Sequence, residues 1–122
     1  MQQVKEAATL VSASMVTGTN VYNAAGESLG EIRDIMIDKK SGRIAYAIMS
    51  CGGFLGIGIR YHAVPWSTLS YDLTKSGYIV PLSKDVLKSA PTIGADELAT
   101  WQTPAQERTI HDYYKTRPYW DA

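Results

Sequence analysis

A glycine-rich run near the middle of the chain constrains the fold more than any other feature of the sequence. Residues 52–58 read G-G-F-L-G-I-G, and the largely apolar residues 59–64 then lead directly into Pro65 and Trp66. Glycine reaches backbone angles that other residues avoid, and within strands it marks sharp bends and close backbone approaches. This combination predicts a tight corner in a small closed β-sheet.

Turn-forming residues recur at short intervals along the first two thirds of the chain, and β-branched and aromatic runs lie between them. This spacing is typical of a small all-β barrel or sandwich rather than of alternating strands and helices. We predict six strands, at residues 20–23, 29–38, 43–50, 59–65, 68–72 and 78–82.

The third predicted strand, residues 43–50, is apolar on both faces. Alternation places three side chains on each face: Ile44, Tyr46 and Ile48 on one, and Ala45, Ala47 and Met49 on the other. One face can line the interior of a barrel. The other needs a cover, which the tail, a helix or a second subunit could supply.

Two short helices are predicted after the strands. Ser83 is a suitable N-cap for the first. The second has a fuller start signal, because Thr103 is followed by Pro104 at the first helical position and by Gln106 at the third, which completes a capping box. We expect this helix to extend to about Lys115.

Composition limits the classes of partner. The 122 residues fit one domain, and 12 basic residues balance 12 acidic ones. This balance disfavours binding to nucleic acid. The lone Cys51 excludes an intramolecular disulfide and fits a reducing compartment. No run resembles a signal peptide or a membrane span, so we expect a cytoplasmic protein.

Three segments together closely resemble the PRC-barrel family, which is named after the cytoplasmic barrel of the photosynthetic reaction centre H subunit. They are residues 20–32, 38–47 and 52–66. The resemblance covers about residues 14–91 and implies a mainly β fold, a small six-stranded barrel. Residues 1–13 would then be an N-terminal extension, and residues 92–122 an aromatic-rich helical tail.

The resemblance implies protein contact rather than catalysis. PRC-barrels also occur in a bacterial ribosome maturation factor, where the domain contacts a ribosomal protein, and as stand-alone bacterial proteins. The aromatic tail of this chain is similar to that of the small stand-alone members. We therefore expect a non-enzymatic bacterial adaptor with an unidentified protein partner and no cofactor.

One motif supports a rival hypothesis, a serine hydrolase. Residues 26–30 read G-E-S-L-G and match the nucleophile elbow around Ser28, and Asp72 or Asp85 followed by His111 gives the chain order of an α/β-hydrolase triad. An elbow needs a helix after the serine, whereas the following residues are rich in β-branched side chains. We therefore favour a hairpin turn at this motif.

Other chemistry has weaker support. The glycines at 53, 56 and 58 reverse the dinucleotide-binding order and precede a predicted strand. His62 and His111 have no clustered third ligand, which catalytic zinc requires. We expect no metal or nucleotide site. A carrier of a small apolar ligand, held beneath Phe54 and Leu55, is a further alternative.

Candidate interaction residues fall in the glycine-rich run and the aromatic tail. The run either closes one end of the barrel or docks a partner, and the tail either folds back on the barrel or contacts a second subunit. We expect a homodimer held by the outer face of residues 43–50 and by the tail. The candidate residues are Gly53, Phe54, Leu55, Gly56, Ile57, Gly58, Trp66, Tyr113, Tyr114, Tyr119 and Trp120.

Overall fold

The computed structural model describes residues 10–50, 60–101 and 103–118 and shows a mainly β protein. Its strands form one sheet in the order β5-β6-β1-β2-β3-β4-β7, in which β1 and β6 are parallel and the other neighbours antiparallel. All six predicted strands are confirmed. The strands are β1 (Asn20–Asn23), β2 (Ser28–Ile37), β3 (Ile44–Ser50), β4 (Arg60–Pro65), β5 (Ser70–Asp72), β6 (Gly77–Val80) and β7 (Ile93–Gly94).

The mainly β fold is as predicted, and the structure differs from a six-stranded closed barrel in two details. A seventh strand, β7, has only two residues and so shows no alternating pattern in the sequence. Among the described residues, hydrogen-bonded pairing runs from β5 to β7 without joining these two edge strands. Both edges are short, three residues in β5 and two in β7, so they offer little backbone for a closing ladder.

Two β-bulges bend the central β2–β3 pair. Asp34 pairs with Ile48 and Ile32 with Met49, which leaves Arg33 as an extra residue in β2. Near the turn, the pairing partners of Met36 and Ile37 skip over Ala45. A bulge interrupts the alternation of side chains and increases the local twist.

Strand β3 lies between two apolar clusters. The interior cluster contains its Ala47 and Met49 with Val16, Val21, Leu29, Ile32, Val64, Tyr78, Val80 and Leu87. The outer cluster contains its Ala45, Tyr46 and Ile48 with Ala63, Ile93, Trp101 and Ile110. The prediction that both faces are covered is confirmed. Ala45 was assigned to the wrong face, because the bulge at that residue turns it to the same side as Tyr46.

The residues after β7 fold back over the outer cluster.

The structure has three α-helices in the described ranges. Helix α1 (Ala13–Val16) precedes β1, α2 (Lys84–Lys88) follows β6, and α3 (Pro104–Tyr114) follows a 3₁₀ turn, Ala95–Thr100. The predicted caps are confirmed: Ser83 accepts from a backbone N–H of α2, and Thr103 and Gln106 form the capping box of α3. None of the helices in the described ranges has the length and apolar character to cross a membrane.

The position of the tail contradicts the dimer interface that we expected at the outer face of residues 43–50. Tyr46 and Ile48 on the outer face of β3 are 1% and 0% exposed within a single chain. Trp101 and Ile110 cover them, so this face is not available to a second subunit. The sequence shows that the face needs a cover, but it does not show that the cover comes from the same chain.

Candidate interaction groove

A chain of four hydrogen-bonded side chains attaches α3 to β3. The Tyr46 hydroxyl donates to Glu107 Oε1 at 2.8 Å. His111 Nε2 lies 2.7 Å from the same hydroxyl oxygen, and His111 Nδ1 lies 2.8 Å from Thr116 Oγ1. The single proton of Tyr46 goes to Glu107, so its oxygen accepts from Nε2–H. We assign a neutral imidazole to His111, in which Nδ1 has no proton and accepts from the Thr116 hydroxyl.

The electrostatics of His111 agree with that assignment. Burial lowers the pKa of His111 below its ordinary value of 6.5, although the negative charges of Glu107 and Asp112 act in the opposite direction. The ring is 3% exposed, and burial favours its uncharged form. Tyr46 therefore faces a neutral hydrogen-bond donor.

Trp101 packs against Tyr46 beside this hydrogen-bonded network. Its ring meets the Tyr46 ring edge to face, with centroids 5.2 Å apart and planes at 83°. This is a favoured geometry for aromatic pairs. Because Trp101 is 7% exposed and follows the 3₁₀ turn, its position depends on the fold of the tail.

We call the depression beside these residues the outer groove. Its cavity volume is about 530 Å³, a size in the range of small-molecule and peptide-binding pockets. The β2–β3 hairpin forms one wall, and Trp101 and α3 form the other. The bulge brings Ala45 and Tyr46 to the same side, and both line the groove. The lining residues are Met36, Ile37, Asp38, Lys39, Lys40, Ala45, Tyr46, Trp101 and Glu107.

The outer groove is apolar along its walls and charged at its rim. Ile37 is 53% exposed there and adds apolar surface to the groove. Lys39 and Lys40 are exposed on the β2–β3 turn, whereas Glu107 belongs to α3. Apolar walls with a few charged groups are what a site for an amphipathic protein segment provides.

Comparison with family models identifies the barrel. The model of the PRC-barrel domain matches residues 9–87, more than half of the chain. The chain belongs to the PRC-barrel family. Comparison with curated proteins gives no match. The match to the PRC-barrel model ends before β7, so Trp101 and Glu107 lie outside it. The outer groove thus joins a hairpin of the PRC-barrel to residues that the family model does not include.

The motif at Ser28 forms a hairpin turn in this PRC-barrel, as we favoured. Gly26 has a φ of 90°, a conformation that suits glycine, and the Asn23 side chain hydrogen-bonds with both the backbone and the carboxylate of Glu27. Ser28 begins β2 rather than preceding a helix. Both ring nitrogens of His111 are engaged with Tyr46 and Thr116. The PRC-barrel is a generally non-enzymatic family, and this geometry adds no support for a hydrolase.

The described candidates from the sequence have contacts within the chain. Trp66 packs on the interior cluster, and its ring meets Tyr78 at a centroid distance of 5.4 Å. The Tyr113 hydroxyl donates to the Val86 carbonyl of α2 at 2.6 Å. Tyr114 packs against both clusters. The remaining candidates, Gly53, Phe54, Leu55, Gly56, Ile57, Gly58, Tyr119 and Trp120, lie outside the described residues.

His62 is a core residue of the PRC-barrel. It is 6% exposed, pairs with Met49 across β3 and β4, and has a pKa lowered by burial. Its Nδ1 has no hydrogen-bond partner among the residues that the structure describes. Within those residues, no group of three or more His, Cys, Asp or Glu side chains could hold a metal ion.

Sequence reasoning missed the residues that build the outer groove. One signal was available: Glu107 and His111 are four residues apart on a helix with a clear start, so both lie on one face of it. Their partner Tyr46 is 65 positions away from His111, and no local pattern identifies such a contact.

Proposed function

We propose that this PRC-barrel protein is a non-enzymatic adaptor that binds a segment of another protein in the outer groove. The observation that carries the proposal is the half-exposed Ile37 beside the buried wall of Tyr46 and Trp101. Aromatic and aliphatic side chains at the centre of a contact, with polar groups around them, supply most of the energy of protein interfaces.

The proposal treats the barrel, residues 14–91, and the tail, residues 92–122, as one functional unit. The hairpin of the barrel supplies Ile37, and the tail supplies Trp101 and Glu107. It also places the protein in the bacterial cytoplasm, which the single Cys51 supports. The equal numbers of acidic and basic residues support a protein partner over nucleic acid.

Homodimerisation remains a prediction, and it now requires a surface other than the outer face of β3. The edge strand β5 offers one, because Tyr71 within it and Leu73 directly after it are 53% and 69% exposed. Exposed edges are ready templates for strand pairing. If β5 joins two copies, sedimentation velocity shows a dimer that Leu73→Glu weakens and Ile37→Glu does not.

The two alternative functions, a serine hydrolase and a carrier of a small apolar ligand, gain no supporting contact among the described residues. Ser28 has the strand geometry described above, and a stoichiometric reaction of Ser28 with a fluorophosphonate probe would revive the hydrolase hypothesis. The interior cluster contains side chains with no exposed area, including Val21, Ile32 and Val80. A small barrel filled in this way leaves little room for a carried ligand.

Site-specific photocrosslinking tests the adaptor proposal. A photoreactive amino acid replaces Ile37 in the full-length protein inside its native cell, and a matched variant carries it at the exposed Leu73. We expect one defined protein segment, identified by mass spectrometry, to crosslink at position 37 and not at 73. Identical products at both positions, or none at position 37, contradict the proposal.

A further inference from the structure

The carboxylates of the outer groove are engaged within the protein. Asp38 accepts from the backbone N–H of Ser41 at 3.2 Å and from its hydroxyl at 2.5 Å. These bonds, led by the hydroxyl, lower the pKa of Asp38, so the carboxylate is ionised at neutral pH and holds Ser41 through Oδ2. Glu107 accepts from the Tyr46 hydroxyl.

The ammonium groups of the outer groove, in contrast, are open. Lys39 and Lys40 are exposed, and their ammonium groups form no hydrogen bond or salt bridge with any residue that the structure describes. Lys40 has only a weak electrostatic influence on the nearby Asp38. The two lysines therefore present positive charge that the protein does not use.

These charges have a defined position relative to the apolar wall. Lys39 and Lys40 occupy the turn that directly follows Ile37 at the end of β2. Glu107 is on α3, across the groove, where it faces Tyr46. The turn end of the groove thus has two exposed ammonium groups against the single carboxylate of Asp38, the middle is apolar, and the helix end holds the Glu107 carboxylate, which accepts from Tyr46.

From this arrangement we infer that the partner segment is acidic. It places an apolar side chain against Ile37 and Trp101 and a carboxylate beside Lys39 and Lys40. The inference rests on the proposed function and adds the chemistry of the partner. Exposed ion pairs contribute little affinity, so the apolar anchor provides most of the binding, while the lysines discriminate against basic segments.

The same charges argue against other occupants. Two lysines beside an apolar wall are too few to track a phosphate backbone, which requires a longer basic groove. A second copy of this chain is not attracted to the lysines by its overall charge, since its formal net charge is zero. A carboxylate-bearing segment of a different protein matches both the cationic end and the apolar middle.

Selection from an unbiased library of random 12-residue peptides displayed on phage tests the inference with the full-length protein as bait. We expect enriched peptides to combine Asp or Glu with a Leu, Ile, Phe or Trp. For a synthetic copy of the leading peptide, Lys39→Gln/Lys40→Gln should weaken binding about three- to tenfold, and added salt should reduce that difference. Lys84→Gln/Lys88→Gln, at exposed lysines of α2 outside the groove, is the matched control and should leave Kd unchanged.

The outcomes separate the inference from the proposed function. Binding that is lost in Ile37→Glu but unaffected by the lysine changes overturns the acidic partner and keeps the groove. Binding that neither change affects contradicts both. If the selected peptides match a segment of this chain, the groove binds a second copy and the inference is overturned. The inference is also overturned if the selection gives no peptide whose binding depends on the groove residues. Ile37→Ser, with an unchanged melting temperature, serves as the second groove variant if Ile37→Glu is unstable.

Discussion

At the scale of single residues, Tyr46 links three parts of the molecule. It belongs to β3, its ring packs edge to face on Trp101, and its hydroxyl joins His111 to Glu107 on α3. With 1% of its surface exposed, it has lost almost all contact with water. The polar groups around it therefore depend on one another for hydrogen bonds.

Removing this one hydroxyl should destabilise the protein. Tyr46→Phe retains the ring but takes away the acceptor of His111 Nε2–H and the donor to Glu107. We expect the free energy of unfolding in urea to fall by about 1–3 kcal/mol, the cost of disrupting buried hydrogen bonds. Tyr71→Phe, at an exposed tyrosine, is the control and should change little. Equal effects of the two substitutions would show that the network is not stabilising.

The two buried histidines predict a stability that depends on pH. Burial lowers the pKa of His62 and of His111 below the ordinary 6.5. As the pH falls through about 6.5, the unfolded chain binds protons that the folded chain does not, so stability decreases toward the folded pKa values and then levels off. The contribution of the two neutral histidines to stability is fully present above about pH 7.

Urea midpoints at pH 7.5 and pH 5.5 measure this dependence. We expect a lower midpoint at pH 5.5 in the wild type and a smaller difference between the two pH values in His111→Gln. The comparison concerns the difference, so a general loss of stability in the variant does not affect it. An equal pH difference in both proteins would exclude His111 as a source of the effect.

At the scale of elements, the sequence predicts what depends on neighbouring residues. The six longer strands follow from β-branched runs between turn residues, and the capping box at Thr103 and Gln106 locates the start of α3 within the chain. Both patterns involve residues that are close together in the chain, so they can be recognised in one sequence without a structure. The hairpin turn at Gly26 belongs to the same class.

Features that depend on distant contacts could not be predicted. The bulge at Ala45 follows from its pairing with β2, and β7 exists because Arg60 and Tyr61 of β4 lie beside Gly94 and Ile93. The docking of α3 on β3 decides whether the outer face of β3 is an interface or a covered surface. This docking removes the outer face of β3 from the dimer interface that we expected.

Removal of α3 tests the covering role of the tail. A protein ending at residue 102 exposes the apolar side chains of Ile48 and Ala63, which the full chain buries completely. We expect a lower melting temperature and new self-association in sedimentation velocity, because exposed apolar patches promote assembly. Arg108→Ala, on the exposed side of α3, is the control. A truncated protein that stays monomeric with an unchanged melting temperature contradicts this role.

At the scale of the whole molecule, the chain is a PRC-barrel whose tail forms part of the outer groove. The family model matches residues 9–87, while one wall of the outer groove lies beyond them. Fold and family do not by themselves name a partner, because binding specificity resides in the site.

The central claim is that partners bind in the outer groove, and nuclear magnetic resonance measures it most directly. The full-length ¹⁵N-labelled protein is titrated with the segment identified by crosslinking at position 37 or with the leading selected peptide. We predict that the largest shifts occur at residues 36–46 and at the Trp101 indole N–H, with little change at Ser70–Asp72 of β5. Shifts concentrated at β5 or at residues 52–58, with none at Trp101, would contradict the account.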